Sequence, residues 1–330
     1  MERTTPLHPI QQHLGLTPSN TICPITHKPW VSIDEQINIL TRRGLLDAGD
    51  YRRELSTVGY YRLSGYSYPL RQPAPEGSPR RRLDRFVPGT RMHHAIELYE
   101  FDEQLRLAVW RALCKLEVCL RVDVGHVLGE IDPFIHLDLE RIWPSGAMHR
   151  RAVLFTQKLA QTQSRSTEDF VTHYNQTHDG RLPVWVATEI LEFGQLVTLF
   201  SLAPFEQRRR IADKYLARAD ELESWMRTAN FIRNICAHHA RLWNKRLVIR
   251  PLVKHRRNDQ TLSAVTHSSG RIYTALVLTA FLLRRGNFTA EIQAISDVLD
   301  SFPTEIPGVD LTHIGASPSW KQDPIWTINS

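Results

Sequence analysis

The sequence predicts an all-α protein. Apolar residues recur at helical spacing over most of its 330 residues, strand signals are few, and no repeat of fixed period is present. A hydrophobic fraction of 42% with 23% charged residues suits a globular chain with a sizeable core and excludes global disorder. Length alone allows about two domains, or one large domain with appendages.

Residues 1–30 carry Pro6, Pro9, Pro18, Pro24 and Pro29 and are expected to be irregular. Ser32 is placed to cap a helix over 33–43, with Ile33, Ile37 and Leu40 on one face and Gly44 as the stop. A short helix is expected over 50–58, followed by an aromatic run from Gly59 to Pro69. Residues 71–89 contain four prolines and five arginines without periodicity, which reads as a basic loop. From Thr90 to about Leu128, the apolar positions Leu98, Phe101, Leu105, Val109, Ala112, Leu116 and Leu120 predict one long helix or two joined ones. Further helices are expected at 148–164, 183–202, 205–217, 220–243, 270–285 and 288–300. The last 30 residues, with Trp320 and Trp326 among prolines, read as an extended tail (301–330) held to the body by tryptophans.

Several function classes are excluded. The longest uncharged apolar stretch of the C-terminal half, 272–283, falls short of the roughly 20 residues of a membrane span. The N-terminus lacks a signal-peptide core, and the four cysteines form no Cys-x-x-Cys pair, so a reduced cytoplasmic protein is the expectation. No phosphate-binding glycine motif occurs, so nucleotide hydrolysis is not indicated. Lys and Arg exceed Asp and Glu, 41 to 35, and the net charge of +6 tilts the chain toward polyanions.

The chemistry concentrates in residues 220–246. On a helix advancing about 100° per residue, Trp225, Ala229, Ile232, Cys236, His239, Ala240 and Trp243 share a buried stripe. Arg227, Asn230, Asn234, His238 and Arg241 share the opposite, polar face. His239 is therefore expected in the core and His238 at the surface. Phe231, Ile235 and Leu242 form an apolar patch suited to a two-fold interface. Arg233 and His238 lie about 140° apart on an ideal helix, so they converge only through a long side chain, a kink or a partner protomer. An imidazole with a guanidinium is the minimal kit for cutting RNA without metal. The ring moves a proton, and the guanidinium forks onto phosphate oxygens. One histidine does not easily act as both acid and base, so a second is sought from another subunit. A metal reading of Cys236, His238 and His239 lacks a second pair of ligands, so neither metal nor cofactor is expected.

Arg233-Asn234-Ile235-Cys236-Ala237-His238 resembles the Arg-x4-6-His signature of HEPN domains, and the string to Asn244 resembles the hallmark of the Abi-like (AbiD/AbiF) abortive-infection proteins. Three more segments resemble that family in order: Gly59–Tyr66, Tyr99–Asp102 with Glu117 and Arg121, and Leu182–Trp185 with Phe193–Gly194. The resemblance covers roughly residues 30–330. It implies an N-terminal helical region (31–89), a HEPN-like core (90–300), and a metal-independent endoribonuclease of phage defence. It also implies a homodimer and, for some members, a bound small structured RNA or a restraining antitoxin. Carried over, the catalytic residues are Arg233 and His238, with Asn234 in support.

A second Arg-x4-His, at Arg121 and His126, could complete a composite site. Arg227, Asn230, Arg241, Arg80, Arg81 and Arg82 are candidate RNA contacts. Basic runs at 208–210 and at Lys254, Arg256 and Arg257, and the tyrosines at 60, 61, 66 and 68 with Arg62 and Arg71, are further ones, the tyrosines being read first as packing. The alternatives are a non-catalytic RNA-binding module holding a small structured RNA, and a protein-interaction scaffold.

Overall fold

A computed structural model describes residues 29–253, 260–262, 265 and 270–327. It is 65% helical with one two-stranded sheet, an all-α protein. The principal helices are α1 (Ile33–Arg42), α2 (Tyr60–Ser67), α3 (Met92–Gly129), α4 (Gly146–Arg165), α5 (Asp169–Thr177), α6 (Val184–Ile190), α7 (Phe193–Leu202), α8 (Phe205–Asp213), α9 (Ala219–Ala237), α10 (Ile272–Arg284) and α11 (Thr289–Asp300).

α1 follows its sequence signals. The Ser32 hydroxyl accepts from the Glu35 amide at 3.2 Å, and the helix closes on Gly44 at φ +113°. The aromatic run is not a connection, because Tyr60–Ser67 is helix α2. The basic segment 71–89 is not a plain loop either. Arg71–Pro73 (β1) pairs antiparallel with Arg82–Phe86 (β2), tied to the body where the Phe86 amide donates to the Arg43 carbonyl.

The spine is α3, a single helix of 38 residues. Its first turn is capped from a distance. The Asp47 carboxylate accepts from the Met92 amide at 2.7 Å and from the His93 amide at 3.2 Å. Its far end carries Gly125 and Gly129, where Trp185 of α6 closes in. A Cβ on Gly125 would stand 2.9 Å from Trp185 Cα, so glycine permits this approach.

The predicted helix over 183–202 is broken into α6 and α7 at Leu191 and Glu192. There Glu192 and Gln195 form a reciprocal capping box that restarts the chain. α5 has no counterpart among the expected helices. The apolar run 272–283 is buried on every side as the body of α10, which is the fate of an all-round apolar helix too short for a membrane. Among the described residues no helix is long and apolar enough to cross a membrane. The C-terminal segment is interrupted by short helical turns at Leu311–Ile314 and Trp320–Gln322. Trp320 and Trp326 are buried, and Trp326 Nε1 donates to the Tyr273 hydroxyl at 2.8 Å.

His136, in the turn after α3, is buried with no hydrogen-bond partner on either ring nitrogen among the described residues, and burial holds its pKa down to about 4. An unfolded chain keeps this group near 6.5, so it binds the proton more readily unfolded than folded. Stability is therefore complete above pH 6.5 and falls as pH drops toward 4, by on the order of 3 kcal/mol. His136→Phe should flatten that acid limb in urea titrations across this window; an unchanged limb would refute the assignment.

Candidate functional site

α9 ends sooner than its periodicity suggests. The helix stops at Ala237, and His238 and His239 form its C-terminal turn. The His239 amide donates to the Cys236 carbonyl at 3.1 Å and the Ala240 amide to the Ile235 carbonyl at 3.0 Å. This is a Schellman closure with His239 at φ +51°, a position that usually holds glycine. The consequence corrects one expectation. His239 is exposed, not in the core, because the chain leaves the helix before the stripe reaches it. His238 is exposed, as the phasing predicts, and its ring makes no hydrogen bond or ion pair among the described residues.

Cys236 stays buried, and burial pushes its thiol up to about 12. The cysteine and the two histidines therefore do not converge. Among the described residues no group of three or more His, Cys, Asp or Glu is arranged to hold a metal ion.

The early turn also redirects the chain beyond it. Leu242 is fully buried, Ile235 is buried and Phe231 is half-buried against the core, so most of the apolar patch read as an interface is taken up inside the protomer. Exposed apolar side chains lie instead on α3, at Leu107, Val118 and Val122.

A buried carboxylate fixes this geometry. Asp102 of α3 accepts from the Tyr66 hydroxyl at 2.6 Å, the Trp243 amide at 2.5 Å, the Leu242 amide at 3.2 Å and the Arg106 guanidinium. Burial raises its pKa, and the Arg106 charge and the surrounding donors oppose that rise. The hub joins α2, α3 and the chain leaving the His238 turn. It gives a physical reason for three of the recognised motifs, since one supplies Tyr66, one supplies Asp102 itself, and one supplies the Leu242 and Trp243 amides.

Arg241 completes the seam. Its guanidinium donates to the Gly65 carbonyl and lies 6.0 Å from the Tyr66 ring centre. Arg241 is thus half-buried and held against α2 by packing. Of the tyrosines, Tyr66 is buried, which suits packing, while Tyr61 is 91% exposed.

Arg62, on the first turn of α2, is the residue that sequence reasoning placed elsewhere, among base-clamping aromatics. It is exposed and donates through Nη1 to the His239 carbonyl. Chain geometry then puts this guanidinium within roughly 9 Å of the His238 Cα. No spacing rule reveals such a neighbour, because 177 positions separate the bonded residues.

Arg233 points away from that turn. Its Nε is 3.6 Å from Glu117 Oε2, its guanidinium lies 5.3 Å from the Trp110 ring centre, and Nη1 donates to Asn234 Oδ1 at 3.3 Å. Glu117 holds Arg121 through its other oxygen, at 2.5 Å. Two guanidiniums share one buried carboxylate, and neither has a second ion pair among the described residues. The two arginines of the two Arg-x4-His motifs are thus brought together, and both line a cleft of about 1170 Å³ between α4 and α7. Neither His126 nor His238 lines it. His126 sits in an adjoining hollow of about 500 Å³ that shares Arg121 and Glu189 with the cleft, with its Nε2 3.5 Å from Glu130.

The remaining candidates divide. Arg227 is paired with Glu223 at 2.7 Å, and Asn230 is half-buried against Gly194. Arg208, Arg209 and Arg210 are all paired with carboxylates, so that run is not a free phosphate site. On the hairpin, Arg80 meets Asp84 at 3.3 Å and Arg82 donates to the Arg71 carbonyl. Arg81 is exposed, and the three line a hollow of about 470 Å³. Lys254, Arg256 and Arg257 lie outside the described residues.

A family model described as Abi-like protein matches residues 53–244, more than half of the chain. The match encloses all four motif segments and every partner of Asp102. No curated protein and no solved structure matches the chain.

Proposed function

Because the chain belongs to the Abi-like protein family, which points to abortive infection and phage defence, we propose that it is a metal-independent endoribonuclease of the HEPN type. One observation carries the reading: an imidazole at His238 that is exposed and unpartnered among the described residues, with the Arg62 guanidinium bonded nearby to the His239 carbonyl. His238 takes the proton of the ribose 2′-hydroxyl or gives one to the departing 5′-oxygen. The 2′-oxygen forms its bond to phosphorus as the bond to the 5′-oxygen breaks. The products are a 2′,3′-cyclic phosphate and a 5′-hydroxyl. Arg62 retains donors beyond the one bonded to His239 and can fork onto the phosphate oxygens at that turn. Arg233 is directed toward the cleft, so within one protomer it meets RNA there and not at the His238 turn, and Asn234 orients it through its Oδ1. The second imidazole is expected from another copy of the chain, as a homodimer in the cytoplasm.

The test uses paired substrates. RNA should be cut with EDTA present, and the same strand carrying 2′-deoxyribose throughout should survive. Equal cutting of both, or loss of cutting in EDTA, overturns the mechanism.

The separation of His238 from the cleft favours a second reading, a non-catalytic module that holds a small structured RNA. In that case His238→Ala would leave both RNA affinity and any toxicity unchanged.

A further inference from the structure

We propose that the cleft between α4 and α7 is the track for the phosphate backbone of a single RNA strand, an inference that rests on RNA being the protein's ligand. Arg151, Lys158 and Arg165 all line it and recur every seven residues along α4. Seven residues advance a helix by about 10.5 Å and return within about 20° of the same face. The three cations therefore form a straight ladder roughly 21 Å long. Lys158 and Arg165 are exposed and make no ion pair among the described residues, while Arg151 Nη2 is held by Ser201 Oγ at 2.6 Å.

Arg121 and Arg233 add to this charge in the same cleft, with Glu117 shared between the pair. Three carboxylates, Glu168, Glu189 and Glu192, also line the cleft, against five cations. Glu192 is committed to capping α7. The cations are accompanied by apolar surface, since Leu154 of α4 is 56% exposed and Phe170 of α5 is half-buried, and both line the cleft. Spaced cations with apolar surface beside them suit a strand whose phosphates and bases alternate. A free phosphate or an acidic peptide would use the charge and leave the apolar surface bare.

The experiment measures anisotropy of a labelled 12-nucleotide oligouridine on His238→Ala protein, which cannot consume it. The Lys158→Glu/Arg165→Glu change is then made in that background. Because both side chains are exposed, the melting temperature should hold. Affinity should fall at least tenfold at 0.1 M salt, and the log–log salt slope should become shallower by about 1.4, two single-strand phosphate contacts. Unchanged affinity and slope overturn the proposal, as does failure of the parent to bind the strand. Competition by polyglutamate or by a mononucleotide as strong as by oligouridine also overturns it. The two readings fail separately. RNA cleavage by the wild type, with no effect of the charge reversal on binding, removes the cleft alone. Binding lost on reversal, with no cleavage by the wild type, removes the nuclease alone.

Discussion

His238→Ala is expected to lower RNA cleavage by about 10²–10⁴-fold, the range that a positioned proton-transfer group supplies. The melting temperature should be unchanged, because the ring is exposed and makes no hydrogen bond or ion pair among the described residues. Arg62→Ala should cut activity as well, by a smaller factor, since its guanidinium acts on phosphate charge rather than on the proton. His239 separates the cases. Its phasing on an extended helix would make His239→Ala a core mutation. In the structure the residue is exposed at φ +51°, so His239→Gly should instead raise stability by up to about 1 kcal/mol by relieving the left-handed backbone. Cleavage assays beside thermal melts decide the matter. An active His238→Ala protein removes the imidazole from the mechanism. Destabilisation by His239→Gly would contradict the Schellman turn.

Asp102→Ala should be the most destabilising single change where α2, α3 and the His238 turn meet, by about 3–5 kcal/mol. Deleting the carboxylate leaves Arg106, itself buried, as an uncompensated charge. It also strands the Tyr66 hydroxyl and the Leu242 and Trp243 amides away from water. Asp102→Asn keeps the shape and one acceptor, so its loss should be intermediate. Urea denaturation monitored by tryptophan fluorescence measures both. Because the hub sets the path of the chain after His239, either variant should lose cleavage at temperatures where it remains folded. A loss below about 1 kcal/mol for Asp102→Ala would mean that the network is replaceable by water.

Local rules located much of this molecule. Ser32 and Gly44 bound α1 because caps act within a few residues of themselves, and the spacing of Leu98 to Leu120 marks α3 because helical periodicity is a local property. The outward face of His238 was legible for the same reason, as were the family motifs that enclose it. Three features were not. α9 stops at Ala237 because Leu242 and Trp243 are drawn into the Asp102 hub, 140 and 141 positions away, and this overrides a stripe that reads as helical to 243. The segment 71–89 pairs as a hairpin because Phe86 finds a core and a backbone partner at Arg43.

The cleft, the third, gathers Arg121 and Arg233 on one buried glutamate, while Arg62 crosses to the histidine turn that Arg233 leaves. The sequence by itself determined the helical class, the motif residues and the exposure of His238, since each follows from neighbours within a turn or two, but it placed His239 in a core that the chain leaves too early to reach. Tertiary structure alone decided which guanidinium stands beside that histidine. Such partnerships depend on where whole helices pack, and helix packing is set by burial over the entire chain rather than by any local spacing.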